Sequence, residues 1–510
     1  MKHAGLQYGD DFFPHADVTD RILRAASGFK DRGLERDQTA ALMLRNDVAY
    51  VEATMAIRKV GGMPVPINWH LKGEELAYIL EDCGTKVLVI HSDLYHDLQD
   101  HIPGDISVFE VETPQVLIDA FGLSGDGLVR HEGTTDWNEW IASNVPFTEE
   151  IAVQTASMIY TSGTTGRPKG VRRQAATPEQ HAESIRVAGA VLGVKPGINT
   201  VVPAPMYHSA PNAFSLFAFQ LETFFVIMPR FDAEDFLRVI DEHKISSVQM
   251  VPTMFIRLLK LPEEVRSKYD LSSLEYVVHA AAPCPPDVKK SMIEWFGPVI
   301  HEYFGSTEMG SVTLATSEDA LKYPGTVGKA IPEATVIIVD EDGNEAPPDT
   351  IGTVYAMLHT STEFTYQGDD EKRASVGREN LITSGDIGYL NEDGFLFLCD
   401  RASDMIISGG VNIYPAEIES VIIGMDQVKD SAVFGIPDPD FGEKIAAIIQ
   451  IDDGRECTES EVVDFLRDKL AGYKMPRHIE FREDLPREDS GKLFKRKLRA
   501  EFWEDSGRSI

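Results

Sequence analysis

The stretch "YTSGTTGRPKG", residues 160–170, combines hydroxyl side chains, glycines and a lysine. Glycines let the backbone turn where a Cβ would clash, and they leave backbone N–H groups open to a ligand. Such N–H groups in a turn form an anion-binding nest. The hydroxyls add further donors, and Lys169 adds a positive charge on a flexible stem. The stretch therefore predicts a phosphate-binding loop.

A plain surface loop is the competing interpretation, because clusters of Gly, Ser and Thr commonly connect periodic segments. The spacing also differs from the nucleotide-binding P-loop, in which a Lys is followed directly by Ser or Thr. Here Lys169 is followed by Gly170 and Val171. The loop is expected to hold phosphates in some other way, and the rest of the chain has to decide between the two interpretations.

Composition restricts the class of protein. The chain has 510 residues and a formal net charge of −34, from 82 acidic and 48 basic residues. That charge disfavours nucleic acids and anionic membranes as partners, since both would be repelled. A chain of this length is expected to form two or more domains. Its 43% hydrophobic content is that of an ordinary globular protein.

Sequence signals favour a cytoplasmic protein. The first twenty or so residues lack the apolar core of a signal peptide. The most apolar stretch, residues 212–231, is interrupted by Gln220 and Glu222, so we interpret it as buried core rather than as a membrane span. The cysteines lie far apart and show neither zinc spacing nor a disulfide framework. They are Cys83, Cys284, Cys399 and Cys457.

The first 300 or so residues alternate helical and strand-like patterns, which is typical of layered α/β structure. Residues 232–244, "DAEDFLRVIDEHK", have helical periodicity and run into "ISSVQMVP", a short strand-like segment. Residues 86–93, "KVLVIHSD", predict another buried strand.

The pattern changes after about residue 325. Residues 335–348 and 388–400 each predict two strands that meet at an Asp-Gly turn, so a β-rich subdomain is expected. Near the C-terminus, Thr458 and Glu461 form a capping box before an apolar helix that Gly472 is expected to stop. We predict a large N-terminal domain, 1–401, and a small α+β domain, 402–510.

Six further motifs follow the opening loop in chain order. They are "PMYHSAP" (205–211), "HAAAPCP" (279–285), "EYFGSTEMG" (302–310), "TSGDIGYL" (383–390), "DRASDMIISGGVNIYPAEIE" (400–419) and "LPREDSGKLFKRKLR" (485–499). Together they resemble the adenylate-forming superfamily of acyl-CoA synthetases, adenylation domains and luciferases, over nearly the whole chain. The resemblance makes the plain-loop interpretation of residues 160–170 untenable, since context confirms a motif.

This resemblance implies a two-step reaction and a fold. A carboxylic acid attacks the α-phosphate of ATP, pyrophosphate leaves, and the acyl group then passes from AMP to the thiol of CoA. Two anions must approach each other, so the site needs positive charge and oriented donors. The implied fold is a layered α/β N-terminal domain with a β-rich subdomain and a mobile α+β C-terminal domain.

The resemblance also implies a nucleotide site. Thr161 and Lys169, with the loop between them, would hold the β- and γ-phosphates, Thr307 would bind the α-phosphate, and Glu308 would ligate Mg²⁺, a hard cation suited to carboxylate oxygen. The ribose hydroxyls would bind Asp386, assisted by Arg401. The loop residues are Ser162, Gly163, Thr164 and Thr165. The adenine slot would consist of Ala281, Ala282 and Pro283 with Phe304 on the other face, and Tyr303 and Gly305 would also bind the nucleotide. Most relatives have Tyr where Phe304 stands, so stacking survives but a phenolic hydrogen bond is lost.

Lys492 matches the lysine that family members insert into the adenylation site from the small domain. The alternative is a surface lysine beside other cations at 495–497, which the motif position disfavours. Ser403 occupies the hinge position, where relatives commonly have Asp or Lys. Ser408, Gly409 and Gly410 would line the channel for CoA. The expected catalytic residues are Lys492, Thr161, His208 and Glu308.

The same resemblance bears on the acid. The expected acyl pocket contains His208, Ser209, Ala280, Gly305 and Gly310. No Asp stands near His208 to pair with an ammonium group, so an α-amino acid is disfavoured. The apolar run "NAFSLFAF" (212–219) and the small residues 280–282 favour a medium- to long-chain or bulky apolar acid. Fatty, aryl-alkanoic and steroid side-chain acids stay open. So do an aryl acid–CoA ligase, an enzyme that loads a carrier protein, a luciferase-like oxidation, a non-catalytic nucleotide-binding homologue and a homodimer.

Overall fold

The computed structural model describes residues 3–150, 155–161, 168–401, 404–408, 411–467, 469–487 and 493–503. Several predicted site residues lie outside these ranges. They are Ser162, Gly163, Thr164, Thr165, Ser403, Gly409, Gly410 and Lys492.

A seven-stranded sheet forms the first layer of the N-terminal region. In spatial order its strands are Ile300–Glu302, Tyr276–His279, Ser247–Met250, Asn199–Val202, Phe224–Ile227, Gly5–Tyr8 and Asp11–Pro14. All neighbours pair in parallel except the last strand, which is antiparallel to Gly5–Tyr8. The four strands from Tyr276–His279 to Phe224–Ile227 are almost wholly buried, as expected when helices cover both faces of a parallel sheet.

A second, five-stranded parallel sheet forms the other α/β layer. Its strands, in spatial order, are Met63–Pro66, Thr39–Met43, Val87–His91, Ser107–Val111 and Thr135–Asp136. The helices His15–Asp31 and Val48–Lys59 pack against each other within the largest apolar core, which also contains residues of both sheets. In that core Phe29 lies 5.5 Å from Phe109 and 4.9 Å from Trp140, measured between ring centroids.

The remaining helices follow the α/β alternation. In chain order they are Gly73–Cys83, Ser92–Leu98, Gln115–Phe121, Trp137–Ser143, Pro178–Leu192, Ser209–Gln220, Ala233–His243, Pro252–Leu259, Glu263–Arg266, Pro286–Phe296, Ser317–Lys322, Asp370–Ser375, Pro415–Ile422, Glu459–Arg467 and Lys495–Trp503. Short 3₁₀ turns span Gln99–His101, Asp126–Leu128 and Gly472–Lys474.

The α/β predictions are confirmed. The helix Ala233–His243, capped by the Asp232 side chain, leads to the strand Ser247–Met250, and Val87–His91 is a fully buried strand. The apolar stretch 212–231 supplies most of the helix Ser209–Gln220 and the strand Phe224–Ile227, both largely buried. No helix among the described residues is long and apolar enough to cross a membrane.

A β-rich subdomain follows. Its eight strands are Thr313–Leu314, Thr326–Ala330, Ala334–Val339, Gly352–Leu358, Gly377–Arg378, Leu381–Ile382, Asp386–Leu390 and Phe395–Arg401. The hairpin predicted at Asp393-Gly394 is confirmed, because Asp386–Leu390 and Phe395–Arg401 pair in antiparallel fashion. The other predicted hairpin is wrong in its partner. After Asp342-Gly343 the returning segment forms an isolated bridge from Val339 to Glu345 and a hydrogen bond from the Ala346 N–H to the Ile338 carbonyl, but no strand. Ala334–Val339 forms its ladder with Gly352–Leu358 instead.

Two small sheets lie beside the site. The strands Ile159–Thr161, Lys169–Arg173 and Phe364–Tyr366 form an antiparallel sheet, so the predicted phosphate loop leaves one strand and returns on the next. Gly305–Ser306 pairs with Gly310–Ser311 in a tight hairpin. A Cβ on Gly305 would lie 2.1 Å from the Gly310 carbonyl oxygen, so the hairpin requires glycine there.

The C-terminal region has its own sheet. Its strands are Ile406–Ser408, Val411–Ile413, Val428–Asp438, Gly442–Ile451 and His478–Arg482. The capping box is confirmed, since the Thr458 N–H donates to Glu461 and the Glu461 N–H donates to Thr458 Oγ1. The helix ends at Arg467, and Gly472 begins a 3₁₀ turn instead of stopping the helix.

Candidate active site

A cleft of about 3070 Å³ lies at the carboxyl ends of the seven-stranded sheet, next to the β-rich subdomain and the C-terminal region. Ligands of open α/β sheets bind at this end of the strands. Most of the described site predictions converge on it. Residues that line it are Thr161, Lys169, His208, Ser209, Ala280, Ala281, Ala282, Pro283, Tyr303, Phe304, Gly305, Thr307, Glu308, Gly310, Asp386 and Arg401. Ser408 is described but is not among the lining residues.

The two described ends of the phosphate loop lie side by side, because Thr161 pairs with Lys169 across the small sheet. The Lys169 ammonium is 3.0 Å from the Asp369 carboxylate, and both side chains are partly exposed. This contact raises the pKa of Lys169 above its ordinary value, so the side chain is cationic at neutral pH. A phosphate at Lys169 would have to compete with Asp369 for that charge.

The predicted adenine slot follows the ends of two adjacent strands. Tyr276–His279 leads into the alanines, and Ile300–Glu302 leads into Tyr303 and Phe304. Ala281 has a φ of +74°, a left-handed conformation that costs a residue with a Cβ about 1–3 kcal/mol. Such backbone strain is typical of functional sites, where surrounding structure enforces the conformation.

The turn that carries Thr307 and Glu308 is held from both sides. The Ser306 hydroxyl oxygen accepts from the backbone N–H groups of Glu308 and Met309, both at 3.2 Å. On the other side the Tyr366 hydroxyl donates to Glu308 Oε1 at 3.1 Å. Burial, and then the Glu308 carboxylate itself, raise the pKa of Tyr366, so the phenol stays a neutral donor. The turn therefore presents Glu308 with a defined orientation.

Arg173 is the main support of this turn, and the sequence did not single it out. Its Nη2 donates to the backbone carbonyls of Thr307 and Glu308, and its Nη1 donates to that of Thr362, each at 2.7 Å. Burial lowers the pKa of Arg173 to about 10, and the Glu308 charge opposes that shift, so the guanidinium is cationic at neutral pH. Lys169 begins the strand that Arg173 ends, so one strand supports both the predicted phosphate loop and the Glu308 turn.

The predicted ribose site lies on the confirmed hairpin. Asp386 and Arg401 are cross-strand partners, and Arg401 Nε lies 3.6 Å from Asp386 Oδ1. The Ser384 hydroxyl donates to the other Asp386 oxygen at 2.5 Å. Only 13% of the Asp386 side chain is exposed, whereas 42% of the Arg401 side chain is, so Asp386 is a fixed acceptor beside a more exposed cation.

The predicted acyl side begins at His208, the residue just before the helix Ser209–Gln220. The His208 ring lies 4.2 Å from the Tyr207 ring, centroid to centroid. Two helices that contact each other contribute apolar side chains to a further part of the lining. It includes Val187, Ala188, Val191 and Leu192 of Pro178–Leu192, and Ala213 and Phe217 of Ser209–Gln220.

The donor set suits a magnesium ion carried by a nucleotide better than a caged metal. Among the described residues no group of three or more His, Cys, Asp and Glu side chains could hold a metal ion. Mg²⁺ is commonly bound by one or two carboxylates together with phosphates and water. Glu308, oriented by Tyr366 in the cleft, fits that role.

The strained backbone at Ala281, the paired Asp386 and Arg401, and Lys169 at the end of the Gly/Ser/Thr loop lie in one cleft, as the motifs predicted for an adenylate-forming enzyme. The chain belongs to the AMP-binding enzyme family, whose model matches residues 6–358, and the model of the AMP-binding enzyme C-terminal domain matches residues 417–492. Within the superfamily it falls in the acyl-CoA synthetase branch, which consists of AMP-forming acid–thiol ligases.

Similar proteins extend over almost the whole chain. A long-chain-fatty-acid–CoA ligase of Mycobacterium tuberculosis is 30% identical over 94% of this chain and 91% of its own length. A fatty acid–[acyl-carrier-protein] ligase of Streptomyces coeruleorubidus is 29% identical over 96% of this chain and 91% of its own length. The solved o-succinylbenzoate CoA synthetase of Bacillus subtilis, in complex with an acyl-adenylate intermediate, is 25% identical with a TM-score of 0.80, covering 98% of this chain and 95% of that one.

Proposed function

We propose that the protein joins an apolar carboxylic acid to CoA in two steps, acyl-AMP formation with release of pyrophosphate and then transfer of the acyl group to the CoA thiol. One observation carries the proposal. A single cleft is lined by Lys169, Thr307, Glu308 and Asp386 beside an apolar region with His208 at its border. That arrangement suits ATP and an apolar acid bound next to each other.

The residues have distinct roles in this proposal. Lys169 and the phosphate loop neutralise the β- and γ-phosphates as negative charge moves onto pyrophosphate. Thr307 donates to the α-phosphate, and Asp386 accepts from the ribose hydroxyls. Magnesium, held by Glu308 and the nucleotide, would supply charge neutralisation at the phosphates. Arg173 keeps Thr307 and Glu308 in register through their carbonyls.

The C-terminal region completes the site. We place the domain boundary after Arg401 and assign the second adenylation cation to Lys492. The Lys260 ammonium lies 2.7 Å from the Asp452 carboxylate and links the end of the helix Pro252–Leu259 to the C-terminal sheet. Both side chains are partly exposed, so the link is weak enough to open when the small domain rotates. Such rotation would let one cleft serve both half-reactions.

Apolar helix faces support a medium- or long-chain or bulky apolar acid. Val187, Val191 and Phe217 offer no cation for a second carboxylate and no anion for an ammonium group. A carrier protein is the alternative acceptor, because a relative of similar identity is named as a carrier-protein ligase. Other relatives of similar identity are named as CoA ligases or synthases, which favours CoA.

The test is pyrophosphate release from ATP and Mg²⁺ with a panel of fatty, aryl-alkanoic and steroid side-chain acids, each with and without CoA. Acid-dependent release that reaches multiple turnovers only when CoA is added is the expected result, and it names the acid. Release that stays at one turnover with CoA but proceeds with a phosphopantetheinylated carrier protein would establish the alternative. No acid-dependent release across the panel would contradict the proposal.

A further inference from the structure

The spacing of the adenine slot is set at the ends of two neighbouring strands. His279, the last residue of its strand, pairs in register with Glu302, the last residue of the next strand. One wall of the slot, Ala280 to Pro283, begins directly after His279, and the other, Tyr303 and Phe304, begins directly after Glu302. The Tyr303 N–H donates to the His279 carbonyl at 3.2 Å. Contacts that fix the relative position of these two strand ends therefore also fix the distance between the two walls of the slot.

A buried ion pair lies at this point. Lys289, on the helix Pro286–Phe296, forms a salt bridge with Glu302, and each side chain is only 5% exposed. The other Glu302 oxygen is 3.8 Å from Nδ1 of the fully buried His279 ring. Burial, and then the Lys289 charge, hold the pKa of His279 well below its ordinary value, so His279 is neutral and the compensating charge is Lys289 alone.

The pair joins three parts of the fold. Lys289 Nζ also lies 3.4 Å from the carbonyl oxygen of Thr326, in the β-rich subdomain. The Glu302 backbone exchanges hydrogen bonds with Ala315 at 3.0 and 2.7 Å, which ties the same strand end to that subdomain. Both Lys289 and Glu302 also border the cleft.

Stability alone gives little reason for such a pair. Two charges lose their hydration on burial, and well-packed apolar residues of similar volume would stabilise the fold as well or better. A charge-assisted hydrogen bond is short and directional, however, and so fixes the relative position of the groups that carry it. At this point the groups are a helix, a strand end and a strand of the next subdomain.

We propose that Lys289 and Glu302 are positioning residues that set the distance between the two walls of the adenine slot, and thereby the affinity and selectivity for the purine of ATP. The inference rests on the proposed nucleotide site. Neither side chain is assigned to the reacting atoms, so the pair acts through Ala281 and Phe304.

The test compares Glu302→Gln with Glu52→Gln. Glu52 is a matched control, because it is 2% exposed and accepts from Arg21 and Trp137, but it lies on the helix Val48–Lys59, outside the cleft lining. Both variants lose a buried charge, and thermal unfolding establishes that each is folded at the assay temperature. The charge-neutral double variant Lys289→Met with Glu302→Gln covers the case in which Glu302→Gln alone does not fold.

Two measurements are made on each variant. The first gives the KM for ATP and the KM for the acid. The second is the binding of a fluorescent ATP analogue, which ATP or GTP displaces in competition. The expected result is a KM for ATP raised about tenfold in the Glu302 variants, an unchanged KM for the acid and a smaller preference for ATP over GTP. Glu52→Gln is expected to change none of these.

ATP affinity and base preference equal to those of Glu52→Gln in a folded Glu302 variant would overturn the inference. The competition measurement needs no acid, so it decides this point even where no acid supports pyrophosphate release. Absence of turnover in the unmodified protein would contradict the proposed function and not this inference.

Discussion

Replacing Arg173 by lysine is the most direct test of the Glu308 turn. The guanidinium makes three charged hydrogen bonds to carbonyls, each at 2.7 Å. A lysine has one nitrogen in place of the planar fork and cannot reach Thr362 and the Thr307–Glu308 carbonyls together, so at least one bond is lost.

The magnitude follows from that count. A hydrogen bond to a charged group contributes about 1.5–3 kcal/mol. If the whole loss appears as poorer placement of Thr307 and Glu308 in the transition state, kcat/KM for ATP falls about 10- to 150-fold. This range applies to one lost bond, and the part of the loss that lowers the free energy of unfolding instead reduces the effect on kcat/KM.

The assay is acid-dependent pyrophosphate release at varied ATP, below the Tm of each variant. Arg172→Lys is the control, since Arg172 is the preceding residue of the same strand but donates to the Asp37 carbonyl at 2.9 Å and to Gln367 at 3.3 Å. We expect Arg172→Lys to keep kcat/KM within about twofold. Equal rates in the two lysine variants would refute the argument that Arg173 positions the turn.

Three further predictions concern separate parts of the chain. Lys492→Ala is expected to abolish pyrophosphate release while leaving thioester formation from a preformed acyl-AMP, and equal loss of both half-reactions would contradict the assignment. Asp386→Asn is expected to raise the KM for ATP about tenfold and to reduce the preference for ATP over 2′-deoxy-ATP, because a charged acceptor for the ribose is lost; an unaltered preference would place the ribose elsewhere. Burial, and then the charge of Arg58, lower the pKa of His181 to about 4, whereas the unfolded value is about 6.5. The unfolded state then binds more protons between these values, so stability falls as pH drops from about 6.5 to about 4. Over that pH interval the denaturant midpoint of His181→Gln should fall less than the midpoint of the unmodified protein. Equal falls in the two midpoints would contradict the lowered pKa of His181.

Local patterns in the sequence determine much of the fold. The helix Ala233–His243, the strand Val87–His91 and the hairpin at Asp393-Gly394 all follow from periodicity, caps and turn residues. Each of these signals lies within a few neighbouring residues, so it can be recognised in the sequence without knowledge of the tertiary fold. The order of the motifs likewise identified the family and the residues that line the cleft.

Long-range contacts required the tertiary structure. The strand Ala334–Val339 does not pair with the segment that directly follows the Asp342-Gly343 turn. It pairs with Gly352–Leu358, because this longer strand offers a continuous ladder of partners. A turn signal states where a chain reverses, not which strand it then pairs with.

The same limit applies to the site. The amino-acid sequence by itself, through its resemblance to the family, predicted which residues would hold phosphate, ribose and an apolar acid. Only the tertiary structure decided that Arg173 supports the carbonyls of Thr307 and Glu308, 134 and 135 positions away, and that Lys289 pairs with Glu302 where the strands lead into the predicted adenine slot. Arginine and lysine have no local pattern that distinguishes a buried partner from solvent, because their pairing depends on which distant groups the packed layers bring within reach of one cation.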